Sequence, residues 1–325
     1  MPNPSSPADF WAGDLPTIAS LGGREEYVTM GDGVALRTAA FRAPADPKNV
    51  WGTVVILPGR AEFIEKYLEV IAELISRGLD VRIIDWRGQG GSSRTLSDRQ
   101  KSHIDHYQRY TEDLREVMDT TVRPAARGPV TMLAHSMGAL IGLSLLRDHP
   151  GRFDRAVLTS PMTSIEVGRP GQWAILSRLL WLGALPLIGT RFLPGTGPYR
   201  PRGRRTDNPL TSDATRASIM RRYIASTPGL ALGGPTVRWL AASRDAMARI
   251  MDKNAPPIDT EILIVSSSED RVVGVRTQLM LHEECLTNSR IEIIDGARHE
   301  ILMEQDRYRG RFWDLFDDFV LGAAS

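Results

Sequence analysis

A serine set among small residues is the first feature of this chain that could do covalent chemistry. Val130-Thr-Met-Leu-Ala-His-Ser-Met-Gly-Ala139 reads as a short apolar strand, a tight turn around Ser136, and the start of an apolar helix. This is the small-x-Ser-x-Gly spacing of a nucleophile elbow, with Ala134 where a glycine is usual. So sharp a turn admits only small residues, and it lifts the Ser136 hydroxyl out at the sheet edge. The helix that follows aims its free N–H groups at the site, which favours developing negative charge.

A serine needs a base, and the base an orienting carboxylate; on this kind of scaffold the chain order is serine, acid, histidine. After the strand pattern Glu261–Ser266 comes Ser-Ser-Glu-Asp270-Arg, and after Arg290–Asp295 comes Gly-Ala-Arg-His299-Glu. Asp270 and His299 both fall just past strand C-termini, where open parallel sheets place their sites. Glu269 and Asp295 are rival acids; Asp270 is preferred because it sits deeper in its loop. Among the remaining histidines, His103 and His106 open a helix without a third ligand for a metal. His135 lies inside the elbow, as a residue that shapes the site. His149 closes a helix, and His282 falls on a surface helix.

Acyl transfer also needs two oxyanion donors. The N–H of Met137, directly after the nucleophile, is one. The other is expected from the loop Leu57-Pro-Gly-Arg-Ala-Glu62, where the backbone N–H of Arg60 is the candidate. The glycines of Asp85-Trp-Arg-Gly-Gln-Gly-Gly-Ser92 lack the spacing of a phosphate loop and read as a structural turn.

The elements that must position these residues are legible in the patterning. Strands are predicted at Glu26–Met30 and Val34–Phe41, joined by a Gly31-Asp-Gly33 turn. Further strands are predicted at Gly52–Leu57, Leu79–Ile84, Val130–Ala134, Ala156–Thr159, Ile262–Val265 and Ile291–Ile294. Helical periodicity marks Phe63–Ile75 with Gly78 as a stop, Tyr107–Val117, Thr236–Met251 and Tyr308–Phe319. Apolar strands alternating with helices predict an α/β fold: an eight-stranded, mostly parallel sheet flanked by helices. From Pro161 to Gly234 no strand run occurs, so the expected organisation is a core of 1–160 and 235–325 with a helical lid at 161–234.

The 325 residues carry 40 basic and 39 acidic side chains, and 42% are hydrophobic. Disorder is excluded, and nothing in the net charge of +1 calls for nucleic acid. A single cysteine, Cys285, rules out a disulfide framework or multi-cysteine zinc site and reads as a small buried hydrophobe in a reducing compartment. The N-terminal residues show no secretory pattern. The most apolar stretch, Leu179–Gly189, is broken by Pro186 and is too short to span a bilayer. A cytoplasmic protein is expected.

The segments Pro58–Glu62, Ile84–Gly90, Ala134–Gly138, Glu269–Val273 and Gly296–Leu302 together resemble the α/β-hydrolase superfamily. More narrowly, they are similar to bacterial lysophospholipases and the related monoacylglycerol lipases. The resemblance covers the chain from about Thr53 onward and is weakest across 161–234. It implies that Ser136 is the nucleophile, His299 the general base and Asp270 its orienter, with the Arg60 and Met137 amides as oxyanion hole and no cofactor or metal. Pro58 stands where a His-Gly dipeptide is usual, and with Ala134 this fits the lysophospholipase-like branch.

The lid is expected to set specificity. Trp173, Leu179, Leu180, Trp181, Leu185, Leu187 and Ile188 offer apolar surface for an acyl chain. Ten arginines (169, 178, 191, 200, 202, 204, 205, 216, 221 and 222) face only Glu166, Asp207 and Asp213, a net +7 that suits a phosphate-bearing lipid or an anionic membrane surface. The expected substrate is a single-chain lipid ester: a lysophospholipid first, a monoacylglycerol or simpler carboxylic ester second. A proline-iminopeptidase-like activity would call for acids in the lid, and a haloalkane dehalogenase needs aspartate at the Ser136 position. A non-catalytic binding protein is disfavoured by the intact serine, acid and histidine. None of these signals bears on oligomeric state.

Overall fold

The computed structural model describes residues 10–11, 13–43, 50–166, 185–201 and 207–322. Its strands are β1 (Arg24–Thr29), β2 (Ala35–Phe41), β3 (Gly52–Leu57), β4 (Leu79–Ile84), β5 (Val130–His135), β6 (Arg155–Thr159), β7 (Glu261–Ser267) and β8 (Ser289–Ile294). They form one sheet in the order β1-β2-β4-β3-β5-β6-β7-β8. The β1–β2 and β2–β4 pairs are antiparallel and every later pair is parallel. This is the α/β-hydrolase arrangement. Several strands run one or two residues past their apolar runs, because the backbone ladder continues through flanking polar residues such as Ser266 and Ser267.

The central strands are buried on both faces, and their side chains divide by alternation. Val55, Leu57, Met132 and Ala134 enter one apolar cluster, whereas Val54, Ile56 and Leu133 enter the other. The first cluster is covered by α2 (Gln108–Val117), α3 (Met137–Asp148) and α6 (Val237–Ile250). The second is covered by α1 (Leu68–Ser76), α5 (Arg216–Ser226) and α8 (Asp306–Val320); α4 (Pro186–Gly189) and α7 (Val275–Met280) are short. The helix expected over Phe63–Ile75 is split: a 3₁₀ turn at Ile64–Tyr67 precedes α1. Gly78 ends it with φ +77°, a left-handed conformation suited to glycine. His103 and His106 precede α2 rather than open it, and His103 Nδ1 lies 2.9 Å from Thr236 Oγ1. Cys285 is half-buried against the core rather than fully inside it.

Of the 161–234 segment, residues 167–184 and 202–206 lie outside the described residues. They include Trp173, Leu179, Leu180, Trp181, Arg169, Arg178, Arg202, Arg204 and Arg205. The part from 207 onward is tied to the core. Ile219, Tyr223 and Ile224 of α5 share the second cluster, and Thr211 Oγ1 donates to the Met303 carbonyl at 2.7 Å. One sequence expectation changes here. Arg216 is no part of a basic outer face: it is fully buried and bonds Glu69, Asp306 and the Glu304 carbonyl. Its guanidinium was counted as surface charge because sequence composition does not register burial.

Candidate active site

The turn after β5 holds Ser136 at φ +50° and ψ −112°, a conformation that L-residues rarely adopt. Such strain costs roughly 1–3 kcal/mol and persists only where surrounding structure enforces it. Here the Ser136 N–H donates to the Thr159 carbonyl at 3.0 Å, and its carbonyl accepts from Met162 N–H at 3.1 Å. Gly138 is required for another reason. A Cβ there would overlap the Leu57 and Pro58 carbonyls, so α3 approaches the end of β3 only because that position has no side chain.

His299 follows β8 and is 4% exposed. Its Nε2 lies 3.1 Å from Ser136 Oγ, and its Nδ1 lies 2.7 Å from Asp270 Oδ2. The other Asp270 oxygen accepts the N–H groups of Val272 and Val273 at 2.7 and 3.0 Å. Burial opposes ionisation of Asp270. The His299 contact and the two backbone donors outweigh it and hold the carboxyl below its ordinary range. The rival acids are exposed, and Asp295 instead accepts from Ser268 Oγ. The three side chains form one hydrogen-bonded line, the geometry that a nucleophile, its base and an orienting acid require.

Above the serine, the loop after β3 meets the N-terminus of α3. Met137 is the first residue of that helix, so its N–H has no intrahelical acceptor. Gly59 N–H donates to Glu62 Oε2 at 2.5 Å and Ala61 N–H to Gln89 Oε1 at 2.6 Å. Between them, the Arg60 N–H has no acceptor among the described residues. Gln89 belongs to the turn after β4, and its Nε2 reaches Met137 Sδ at 3.6 Å. That turn is held by Asp85, which accepts from Ile64 and Gly91 N–H.

Sequence reasoning missed a buried charge network beneath this loop. Glu62 accepts from Tyr67 Oη at 2.6 Å and pairs with Lys66, whose Nζ also lies 2.8 Å from Glu300 Oε1. Burial disfavours the Glu62 carboxylate, yet Lys66 and its other partners hold its pKa at about 2. The available signal was the Glu62–Lys66 pair at i, i+4, charged inside an otherwise apolar helical face. His135, also buried, places Nδ1 3.1 Å from Thr159 Oγ1 and its ring 4.8 Å from that of His299. Burial lowers its pKa to about 3, which keeps it neutral beside His299.

Comparison with known proteins agrees with this architecture. A family model described as serine aminopeptidase, S33, matches residues 48–306. Lysophospholipase L2 of Escherichia coli K12 is 34% identical over 294 residues, covering 89% of this chain and 84% of that one. A monoacylglycerol lipase of Mycolicibacterium smegmatis is 22% identical, covering 89% and 94% of the two chains. Among solved structures, the Paleococcus ferrophilus monoacylglycerol lipase superposes with a TM-score of 0.67 at 19% identity, over 89% and 99% of the two chains.

Proposed function

The chain belongs to the serine aminopeptidase S33 family of α/β-hydrolases, and from that premise we propose that it hydrolyses the carboxylic ester of a single-chain lipid, with a lysophospholipid as preferred substrate. The observation that carries the reading is the Ser136–His299–Asp270 line. Ser136 Oγ attacks the ester carbonyl while His299 Nε2 takes its proton. The N–H groups of Arg60 and Met137 hold the resulting oxyanion. Collapse expels the alcohol, which leaves with the proton from His299. Water then releases the fatty acid by the same steps in reverse order of roles.

The substrate class rests on the names of the relatives and on the lid. Leu187 is 82% exposed and Leu185 48%, an apolar edge followed by the exposed Arg191, whose N–H bonds the Ile188 carbonyl. Such an edge suits an acyl chain arriving from an anionic lipid surface, and we assign 161–234 the role of lid and of peripheral membrane contact. Among the described residues, no helix is long and apolar enough to cross a membrane. An aminopeptidase reading would need a carboxylate for the substrate's amino terminus. Two of the segment's three acids are engaged, Asp207 with Arg271 and Asp213 with Arg216.

The test is a fluorophosphonate probe followed by a substrate panel of lysophosphatidylcholine, monoacylglycerol and short p-nitrophenyl esters. Labelling at Ser136 and turnover of the lysolipid are expected. Labelling that survives Ser136→Ala removes the nucleophile assignment. Activity confined to short esters removes the lipid assignment.

A further inference from the structure

The side chain of Arg60 differs from those of the buried arginines. Arg37, Arg87, Arg216 and Arg309 each meet at least one carboxylate. Arg60 meets none among the described residues; its guanidinium donates once, from Nη1 to the Gly233 carbonyl at 3.2 Å, and lies 5.8 Å from the Trp239 ring centroid. Tyr110 is its one charge-coupled neighbour, and burial pulls the guanidinium pKa down. Beside it, the buried Tyr110 hydroxyl faces the side chains of Gln89 and Trp239. A half-buried guanidinium with one acceptor among the described residues has N–H donors left to offer an anion.

We propose that the Arg60 guanidinium is the anchor for a phosphate on the leaving half of the substrate, resting on the ester-hydrolase reading above. The covalent geometry fits. From the carbonyl carbon of a glycerol ester to the phosphorus on the far glycerol carbon is as many bonds as from the Arg60 backbone nitrogen to its Cζ. One residue then holds the oxyanion with its backbone and the phosphodiester with its side chain. Guanidinium is suited to this, because its planar fork matches two phosphate oxygens at once. The Trp239 ring, 5.8 Å away, adds a cation–π contact to the guanidinium.

Any non-proline substitution keeps the backbone N–H, so the side chain can be tested separately. The full chain and its Arg60→Gln and Arg60→Lys variants are assayed on lysophosphatidylglycerol and on monoacylglycerol of the same acyl length. The readout is the ratio of the two kcat/KM values. Arg60→Gln should lower that ratio at least tenfold, through KM for the phospholipid, and Arg60→Lys should recover part of it. An unchanged ratio overturns the proposal.

A second arm uses sn-glycerol 3-phosphate as a competitor of p-nitrophenyl butyrate hydrolysis. It should inhibit the native protein at least tenfold more tightly than Arg60→Gln, and inorganic phosphate should inhibit more weakly. Equal inhibition by inorganic phosphate overturns the headgroup assignment in favour of a free anion. If the native protein cleaves monoacylglycerol but no lysophospholipid, the preferred substrate is wrong, and the competitor arm still decides the Arg60 site.

Discussion

Lys66 Nζ lies 2.8 Å from Glu300 Oε1, joining the segment behind the loop after β3 to the residue that follows His299. The same ammonium pairs with Glu62, whose other oxygen holds the Gly59 N–H. One buried cation thereby ties the loop after β3 to the loop that carries His299. Lys66→Met should lower stability by about 3–5 kcal/mol, because it leaves two buried carboxylates without their cation. It should also lower kcat more than it raises KM. Urea unfolding with parallel kinetics checks both. A variant with native stability and native kcat would remove the bridge from the account.

The three residues of the hydrogen-bonded line have distinct expected effects. Ser136→Ala should abolish both labelling and ester turnover. Asp270→Asn should keep the fold and lower kcat by roughly 10⁴-fold, since the imidazole loses the partner that fixes its tautomer. Turnover of p-nitrophenyl butyrate measures this, with circular dichroism as the control. A loss under tenfold for Asp270→Asn would return the orienting role to another acid.

Two glycine substitutions should have opposite signs. Gly138→Ala drives a methyl into the Leu57 and Pro58 carbonyls and should cost about 1–3 kcal/mol or more, with activity falling alongside. Gly310→Ala lies within α8 with open space around the new Cβ and should stabilise by about 0.5–1 kcal/mol. Thermal unfolding of both variants decides; a neutral Gly138→Ala contradicts the close approach of α3 to β3.

Stability should also carry a readable pH dependence. Burial lowers His135 from its ordinary 6.5 to about 3, so between those values the unfolded chain binds a proton that the folded chain refuses. Its contribution is complete above 6.5 and is lost by about 1.4 kcal/mol per pH unit as pH falls toward 3. Asp85 acts oppositely. Burial, only partly offset by Arg37, raises it from 3.8 to about 7, so its contribution is lost as pH rises through that window. His135→Asn keeps a donor toward Thr159 and removes only the first effect. The stability difference from the native chain should change with pH below 6.5; a difference constant from pH 4 to 7 would falsify the assignment.

The apolar lid edge gives a surface prediction. Leu187→Asp should change stability by less than about 0.5 kcal/mol, since the side chain is 82% exposed. It should lower turnover of a micellar lysolipid severalfold while leaving a soluble short ester alone. Equal effects on both substrates would detach Leu187 from lipid recognition.

The sequence by itself determined the strands, the covering helices and the positions of Ser136, Asp270 and His299. Those signals are local: alternation and helical period reflect which side of each element meets water, and an elbow is a rule about consecutive residues. The order of the strands in the sheet was not local and came from the fold. Partner identity was not local. Depth in the loop favoured Asp270 over Glu269 and Asp295, but only the fold shows that its carboxylate meets His299 while Asp295 turns to Ser268. Arg216 read as surface charge until α5 folded it against Glu69. Lys66 and Glu300 meet only because the β3 and β8 loops converge at one end of the sheet, and only the fold shows that Arg60 meets the Gly233 carbonyl and no carboxylate among the described residues. A charge's function depends on what the fold puts within about 3–4 Å of it, and that distance is set by tertiary packing rather than by neighbours in the chain.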